Sequence, residues 1–160
     1  MGATSFPLEV SHGQIAVFAS AIQQPFNDWT DRHVAQGFAW RAGSASFRAL
    51  VEAGTHLVQV VVADQAPPLS PSAIRAIEVP FEIPPAGAIE IASISDSVPL
   101  SLSAGVRTLR CEFLGAGQDG NEHVRFVFAK FDMPRFEVIR ADDQLSVGDE
   151  LLTTAEPASI

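Results

Sequence analysis

The sequence is poor in cysteine and in basic residues, and each scarcity excludes a class of protein. It contains one cysteine and no tyrosine among 160 residues. A lone cysteine, Cys111, forms no disulfide within the chain and builds no cysteine-rich zinc site, so we expect a reducing, cytoplasmic location. No apolar run approaches the roughly 20 residues that a membrane span requires, and residues 1–11 lack the features of a secretory signal.

Basic side chains are also scarce. The chain has 10 Lys and Arg residues against 19 Asp and Glu residues, which gives a formal net charge of −9. Lys130 is its one lysine. Proteins that bind nucleic acid neutralise phosphates with clustered basic side chains, so direct binding of nucleic acid is disfavoured. A basic partner is favoured instead.

The acidic surplus is concentrated at the C-terminal end. Residues 141–160 contain five acidic side chains and no basic one, mixed with Ser, Thr, Gly and Pro. This composition predicts a poorly packed, flexible tail after a single domain of residues 1–140. Such a tail either keeps the protein soluble or contributes carboxylates, with Asp142 and Asp143 as candidates, to a contact with a cationic partner.

Alternation of apolar and polar residues dominates the rest of the chain. It is cleanest in residues 77–83, where Pro80 indicates an edge strand or a bulge, whereas residues 56–63 are apolar on both faces, as in a central strand. Similar short runs recur between turn signals at residues 8–10, 14–18, 46–51, 89–94, 98–102, 106–113, 124–131 and 136–139. The pattern predicts an all-β fold, a two-layer antiparallel β-sandwich.

One segment, near residues 28–36, departs from this alternation and predicts a short helix. Asn27 or Asp28 can cap its start, Asp31 adds negative charge to its first turn, and Gly37 can end it in the left-handed conformation. Two interpretations remain open for Trp29. Either it packs on the sandwich beside a capped helix, or it is an aromatic anchor between the carboxylates of Asp28 and Asp31 that binds Arg or Lys of a partner.

The sequence shows no catalytic constellation, so we expect a protein that is not an enzyme and needs neither cofactor nor metal. The four histidines are too far apart for a metal-binding motif. The glycine-rich residues 115–120 precede strand-like sequence rather than a helix, which favours a hairpin loop over a phosphate-binding loop. Residues 43–46 do not form the Gly-x-Ser-x-Gly motif of serine hydrolases. The histidines are His12, His33, His56 and His123.

The chain resembles a known protein family in the segment that carries the helix. The residues Asp28-Trp29-Thr30-Asp31, followed by Gly37-Phe38 and Ser46-Phe47, are similar to competence protein J, a family of inhibitors of a bacterial DNA-entry nuclease. The similarity spans roughly residues 5–115. It continues through Val79-Pro80-Phe81, Gly87-x-Ile89-x-Ile91-x-Ser93-Ile94, Leu100-x-Leu102, Gly105 and Leu109-x-Cys111.

This resemblance implies a small acidic protein that binds a basic nuclease and blocks its access to DNA. An immunity protein for a secreted DNase toxin is a close variant. Nuclease active sites bind phosphate and are therefore electropositive, which agrees with the charge of this chain. The alternative is a β-sandwich module that binds another ligand or has a structural role, because the same architecture hosts many functions.

Overall fold

The alternating segments form two β-sheets that pack face to face. A computed structural model describes residues 2–130 and 135–159, and within them it contains eleven strands and one helix. The elements are β1 Gly2–Val10, β2 Gln14–Ala19, α1 Asp31–Gln36, β3 Phe38–Arg41, β4 Ser44–Arg48, β5 Gly54–Ala63, β6 Arg75–Ile83, β7 Ala88–Ala92, β8 Ser97–Ser101, β9 Gly105–Ala116, β10 Glu122–Ala129 and β11 Glu137–Arg140. The predicted all-β sandwich with one short helix is confirmed.

The two sheets differ in strand order and in strand direction. The six-stranded sheet has the order β1-β5-β10-β9-β6-β11, and the five-stranded sheet has the order β3-β4-β2-β7-β8. All neighbours are antiparallel except β5 and β10, which run parallel from the Glu122–His56 pair to the Ala129–Ala63 pair. The expectation of a purely antiparallel sandwich is wrong at this pair. Alternation reports which face of a strand is buried, not the direction of its neighbour.

The core lies between the sheets and is rich in phenylalanine. Phe47 of β4 and Phe126 of β10 meet across the two layers with ring centroids 5.9 Å apart, and both side chains are fully buried. Phe136, just before β11, stacks on Phe38 and lies edge-on to Trp40 at 5.0 Å. Trp40 thus packs against the core, and its indole N–H donates to the Pro80 carbonyl at 2.7 Å.

Two strand predictions are refined by the topology. β6 is the second strand of its sheet, but its outer neighbour β11 pairs only with residues 76–78, so Pro80 lies beyond the end of that pairing. Its missing N–H is therefore tolerated. The central strand predicted at residues 56–63 is β5, which lies between β1 and β10. The predicted run 124–131 corresponds to β10, and Phe131 lies outside the described residues.

A network of buried and half-buried charges lies on the outer face of the six-stranded sheet, on β9 and β10. The Glu112 carboxylate is fully buried and accepts hydrogen bonds from Arg110 Nε at 2.7 Å and from Arg125 Nη2 at 3.0 Å. It also accepts from the Ser70 backbone N–H at 3.1 Å, and Arg110 donates to the Pro67 carbonyl at 2.7 Å. These bonds hold the connection between β5 and β6 against the sheet, so the buried carboxylate is fully compensated.

A candidate partner-binding loop and helix

The helix that carries the Asp-Trp-Thr-Asp sequence is short but well capped. α1 begins at Asp31, and the Thr30 side chain accepts from the His33 backbone N–H while His33 Nδ1 accepts from the Thr30 N–H at 3.0 Å. The predicted caps, Asn27 and Asp28, are wrong by two to three residues, because Thr30 is the last residue with extended backbone. Asp31 in the first turn and Gly37 at the end, with φ of 92°, are confirmed.

Asn27 has a different role, which is to fix the loop in front of the helix to the sandwich. Its side chain is buried, and Nδ2 donates to the carbonyls of Ala39 at 2.8 Å and Ser44 at 3.1 Å. Its Oδ1 accepts from Arg41 Nε at 2.7 Å. Asn27 therefore joins the loop to the β3–β4 hairpin and determines where the next residues emerge.

The structure brings three of the predicted site residues together on this loop and helix. Asp28 and Asp31 are exposed, and Trp29 between them is half-buried. The Trp29 indole N–H donates to Gln14 Oε1 at 3.1 Å, and its ring lies edge-on to His33 with centroids 6.4 Å apart. Trp29 thus packs on the sandwich beside a capped helix, as the first interpretation predicts, and its role as an anchor for a partner stays a prediction.

A cavity of about 530 Å³ lies beside Trp29. Trp29 and Val34 line it, and Glu52 and Gln144 contribute polar groups. Val34 and Val51, which also line it, are 39% and 37% exposed. Arg48 also lines the cavity, so its lining carries charges of both signs beside the aromatic and aliphatic groups.

Residues 142–158, here called the C-terminal segment, pack along the loop and helix. Near the end of this segment, the Asp28 N–H donates to the Glu156 carbonyl at 2.8 Å, and the Ala158 N–H donates to the Phe26 carbonyl at 2.8 Å. Between these bonds Asn27 and Pro157 form an antiparallel bridge. The composition of this segment predicts poor packing of its side chains. Composition carries no information on backbone hydrogen bonds, and these bonds join the segment to the loop.

The same segment also contacts the helix itself. Gln36, which is buried, donates from Nε2 to the Leu152 carbonyl and accepts the Leu152 N–H on Oε1, both at 2.8 Å. His33 Nδ1 is an acceptor, so Nε2 carries the proton and donates to the Thr154 carbonyl at 2.9 Å. Arg32 donates to the Glu150 carbonyl at 2.9 Å. Nothing in the local sequence around Gln36 and His33 distinguishes these bonds, since their partners lie more than 110 residues away.

The two candidate carboxylates of the C-terminal segment have different environments. Asp142 pairs with the fully buried Arg75 at 2.8 Å and is 17% exposed, whereas Asp143 is exposed. Burial raises the pKa of Asp142, but the hydrogen bonds and charge of Arg75 outweigh it, and the net effect lowers that pKa. Asp142 therefore anchors the segment, and Asp143 faces solvent.

The other candidate motifs have structural roles in the described part of the chain. The hairpin loop predicted at residues 115–120 is confirmed between β9 and β10, where it spans residues 117–121, and Asp119 accepts from His123 at 3.1 Å. His56 is buried, and desolvation lowers its pKa. Ser44 and Ser46 lie within β4 and are buried. Among residues 2–130 and 135–159, no three His, Cys, Asp or Glu side chains are close enough to hold a metal ion together.

Comparison with known proteins places the fold and the sequence in one group. The profile of competence protein J (ComJ) matches residues 7–132, which extends beyond the C-terminal end of the resemblance at residues 5–115 and includes the whole of β9 and β10. A comparison with curated sequences finds no match. In the described residues no helix is long and apolar enough to cross a membrane.

A solved structure shares the architecture. The crystal structure of ComJ from Bacillus subtilis, described as an inhibitor of the DNA-degrading activity of NucA, superposes with a TM-score of 0.67 at 23% identity. The match covers 82% of this chain and 100% of that one. The shared fold and the sequence match over residues 7–132 lead to one conclusion: the chain belongs to the competence protein J family.

Proposed function

We propose that this protein is an acidic binding protein that inhibits a bacterial DNase by occupying the basic surface with which the nuclease binds DNA. The observation that carries the proposal is membership of a family in which a solved member is described as an inhibitor of DNA degradation. The net charge of −9 supports it, because a surface that binds phosphate is electropositive and attracts carboxylates. The protein acts by binding and not by catalysis.

The surface that suits this role best is the loop and helix of residues 27–36. Asp28 and Asp31 are exposed on a segment whose backbone is held on several sides, which lowers the entropy lost on binding. Trp29 beside them has the aromatic character typical of residues that dominate interfaces. Asp143 adds an exposed carboxylate, and Asp142 supports the surface through its bond to Arg75.

The decisive experiment mixes the purified protein with the nuclease encoded beside its gene and measures DNA degradation and complex formation. We expect inhibition at near-stoichiometric ratios. Asp28→Ala and Asp31→Ala should each weaken binding by more than about 1 kcal/mol. Asp64→Ala is the matched control, because Asp64 is an exposed aspartate outside the C-terminal segment and the helix, and it pairs with the exposed Lys130.

Unchanged DNA degradation at micromolar excess, together with the absence of a complex, would refute the proposal. Equal weakening by Asp64→Ala would show that total charge, and not this surface, determines binding. The alternative, a β-sandwich module that binds another ligand, predicts no effect on the nuclease and binding in a glycan or metabolite screen. We also propose a cytoplasmic location, since the free thiol of Cys111 suits a reducing compartment.

A further inference from the structure

The contacts between the C-terminal segment and the loop with α1 have an unusual composition. In the hydrogen bonds, the groups on the side of the segment are backbone atoms: the carbonyls of Glu150, Leu152, Thr154 and Glu156 and the N–H groups of Ser146, Leu152 and Ala158. The acidic side chains of Glu150 and Glu156 take no part in these bonds and are exposed. The C-terminal segment therefore holds the loop through its backbone and carries its negative charge on side chains, so substitutions can change one property without the other.

The loop and helix need external support to keep one conformation. α1 has six residues, far fewer than the roughly 12–15 at which an isolated helix becomes even marginally stable. One side of the segment 27–36 is fixed by Asn27 on the β3–β4 hairpin. The other side is fixed by the C-terminal segment, through Gln36 at the last turn, His33 in the middle and the Asp28 N–H at the front.

We propose that the C-terminal segment is a clamp that positions Asp28 and Asp31 for the partner, and that Gln36 and His33 are the positioning residues through which it acts. This inference rests on the proposed function and assigns part of the binding affinity to residues beyond the matched family region, 7–132. Ordering a loop during binding costs free energy for every residue that is fixed. The clamp already orders these residues in the free protein, so less conformational entropy is lost when the complex forms and the binding free energy is more favourable.

The test uses two variants of the full chain that separate clamping from charge. Gln36→Ala removes three hydrogen bonds, two to Leu152 and one to the Phe38 carbonyl. The second variant, Asp149→Asn with Glu150→Gln and Glu156→Gln, removes three charges and leaves every backbone bond of the clamp available. Hydrogen exchange of amides 27–36 in the free protein and the association and dissociation rates with the neighbouring nuclease are measured for each.

We expect Gln36→Ala to speed amide exchange at residues 27–36 and to speed dissociation about tenfold, with an unchanged salt dependence of association. The charge variant should leave exchange and dissociation unchanged and slow association at low salt. If Gln36→Ala unfolds the sandwich, Ala158→Pro replaces it, because that change removes the N–H bonded to Phe26 at the far end of the clamp, outside the core between the sheets.

Two results would overturn the clamp. One is faster exchange at residues 27–36 with an unchanged dissociation rate, which would mean that loop order does not contribute to binding. The other is faster dissociation in the charge variant equal to that of Gln36→Ala, which would assign the effect to the carboxylates. Failure of the unmodified protein to bind the nuclease refutes the proposed function instead, and the exchange data on the free protein distinguish that outcome.

Discussion

The ion pair between Arg75 and Asp142 allows a quantitative prediction about stability. Arg75 lies in β6 with a fully buried side chain, and its guanidinium donates five hydrogen bonds. Two of them go to the Asp142 carboxylate, at 2.8 and 3.0 Å, and Gln144 Oε1 accepts another at 2.7 Å. The carbonyls of Arg48 and Ala49 accept the remaining two.

Asp142→Ala leaves a buried cation without a counter-charge. Breaking a fully buried pair costs about 3–5 kcal/mol. Because Asp142 is 17% exposed and three neutral acceptors of Arg75 remain, we expect about 2–3 kcal/mol here. In a chain of this size that corresponds to a fall in Tm of roughly 5–10 °C. Urea unfolding followed by circular dichroism measures the loss, with exposed Asp143→Ala as the matched control, for which we expect a change within about 0.5 kcal/mol.

The same pair predicts the sign of a pH effect. The folded-state pKa of Asp142 is lowered relative to its usual value, so its stabilising contribution is present above the unfolded pKa of about 3.9. It is lost as pH falls through the lower folded pKa. The stability difference between the unmodified protein and Asp142→Asn should therefore shrink in acid. A loss below about 0.5 kcal/mol for Asp142→Ala at neutral pH would refute the reasoning, as would a difference that grows in acid.

Three further predictions concern the loop, the end of the helix and the thiol. Asn27→Ala removes bonds to two buried carbonyls and to Arg41, and should cost about 2–3 kcal/mol in urea unfolding; a neutral result would show that water replaces the amide. Gly37→Ala places a Cβ 2.9 Å from Ile77 Cδ1 at a positive φ and should cost about 2–3 kcal/mol, whereas an unchanged midpoint would contradict the required backbone conformation. Burial raises the pKa of Cys111 well above its usual value, so a thiol reagent should modify it only in denaturant, and rapid labelling of the folded protein would contradict its burial.

The strands were predictable from sequence because alternation is a local signal. Residues 77–83 fall within β6, and the end of the helix at Gly37 followed from the conformational freedom of glycine. The parallel pairing of β5 with β10 was not predictable, since a period of two carries no information on strand order. β1 begins at Gly2, six residues before the predicted run 8–10. The prediction missed these residues because most of them are exposed and do not alternate between apolar and polar.

The structure of the candidate site was predictable only in part, because many of the bonds that hold it join residues far apart in the sequence. Asp28, Trp29 and Asp31 are adjacent in sequence, so their proximity needs no knowledge of the fold. Some of the bonds that hold them, those to the C-terminal segment, join residues more than 110 positions apart, and backbone carbonyls, which every residue has, provide many of the acceptors. One signal was available: Arg75 occupies an inward position in the alternation of β6, where a charged side chain requires a buried partner.

The acidic side chains therefore fall into two groups with different physical roles, and the net charge of the chain does not distinguish them. Glu112 and Asp142 are paired with buried or nearly buried arginines and contribute to stability and to the position of neighbouring segments. Asp28, Asp31 and Asp143 are exposed, and under the proposed function they contribute to the field that a cationic partner would meet. Only the exposed group is screened strongly by salt. Folding free energy should thus respond to the first group, and the ionic-strength dependence of association should respond to the second.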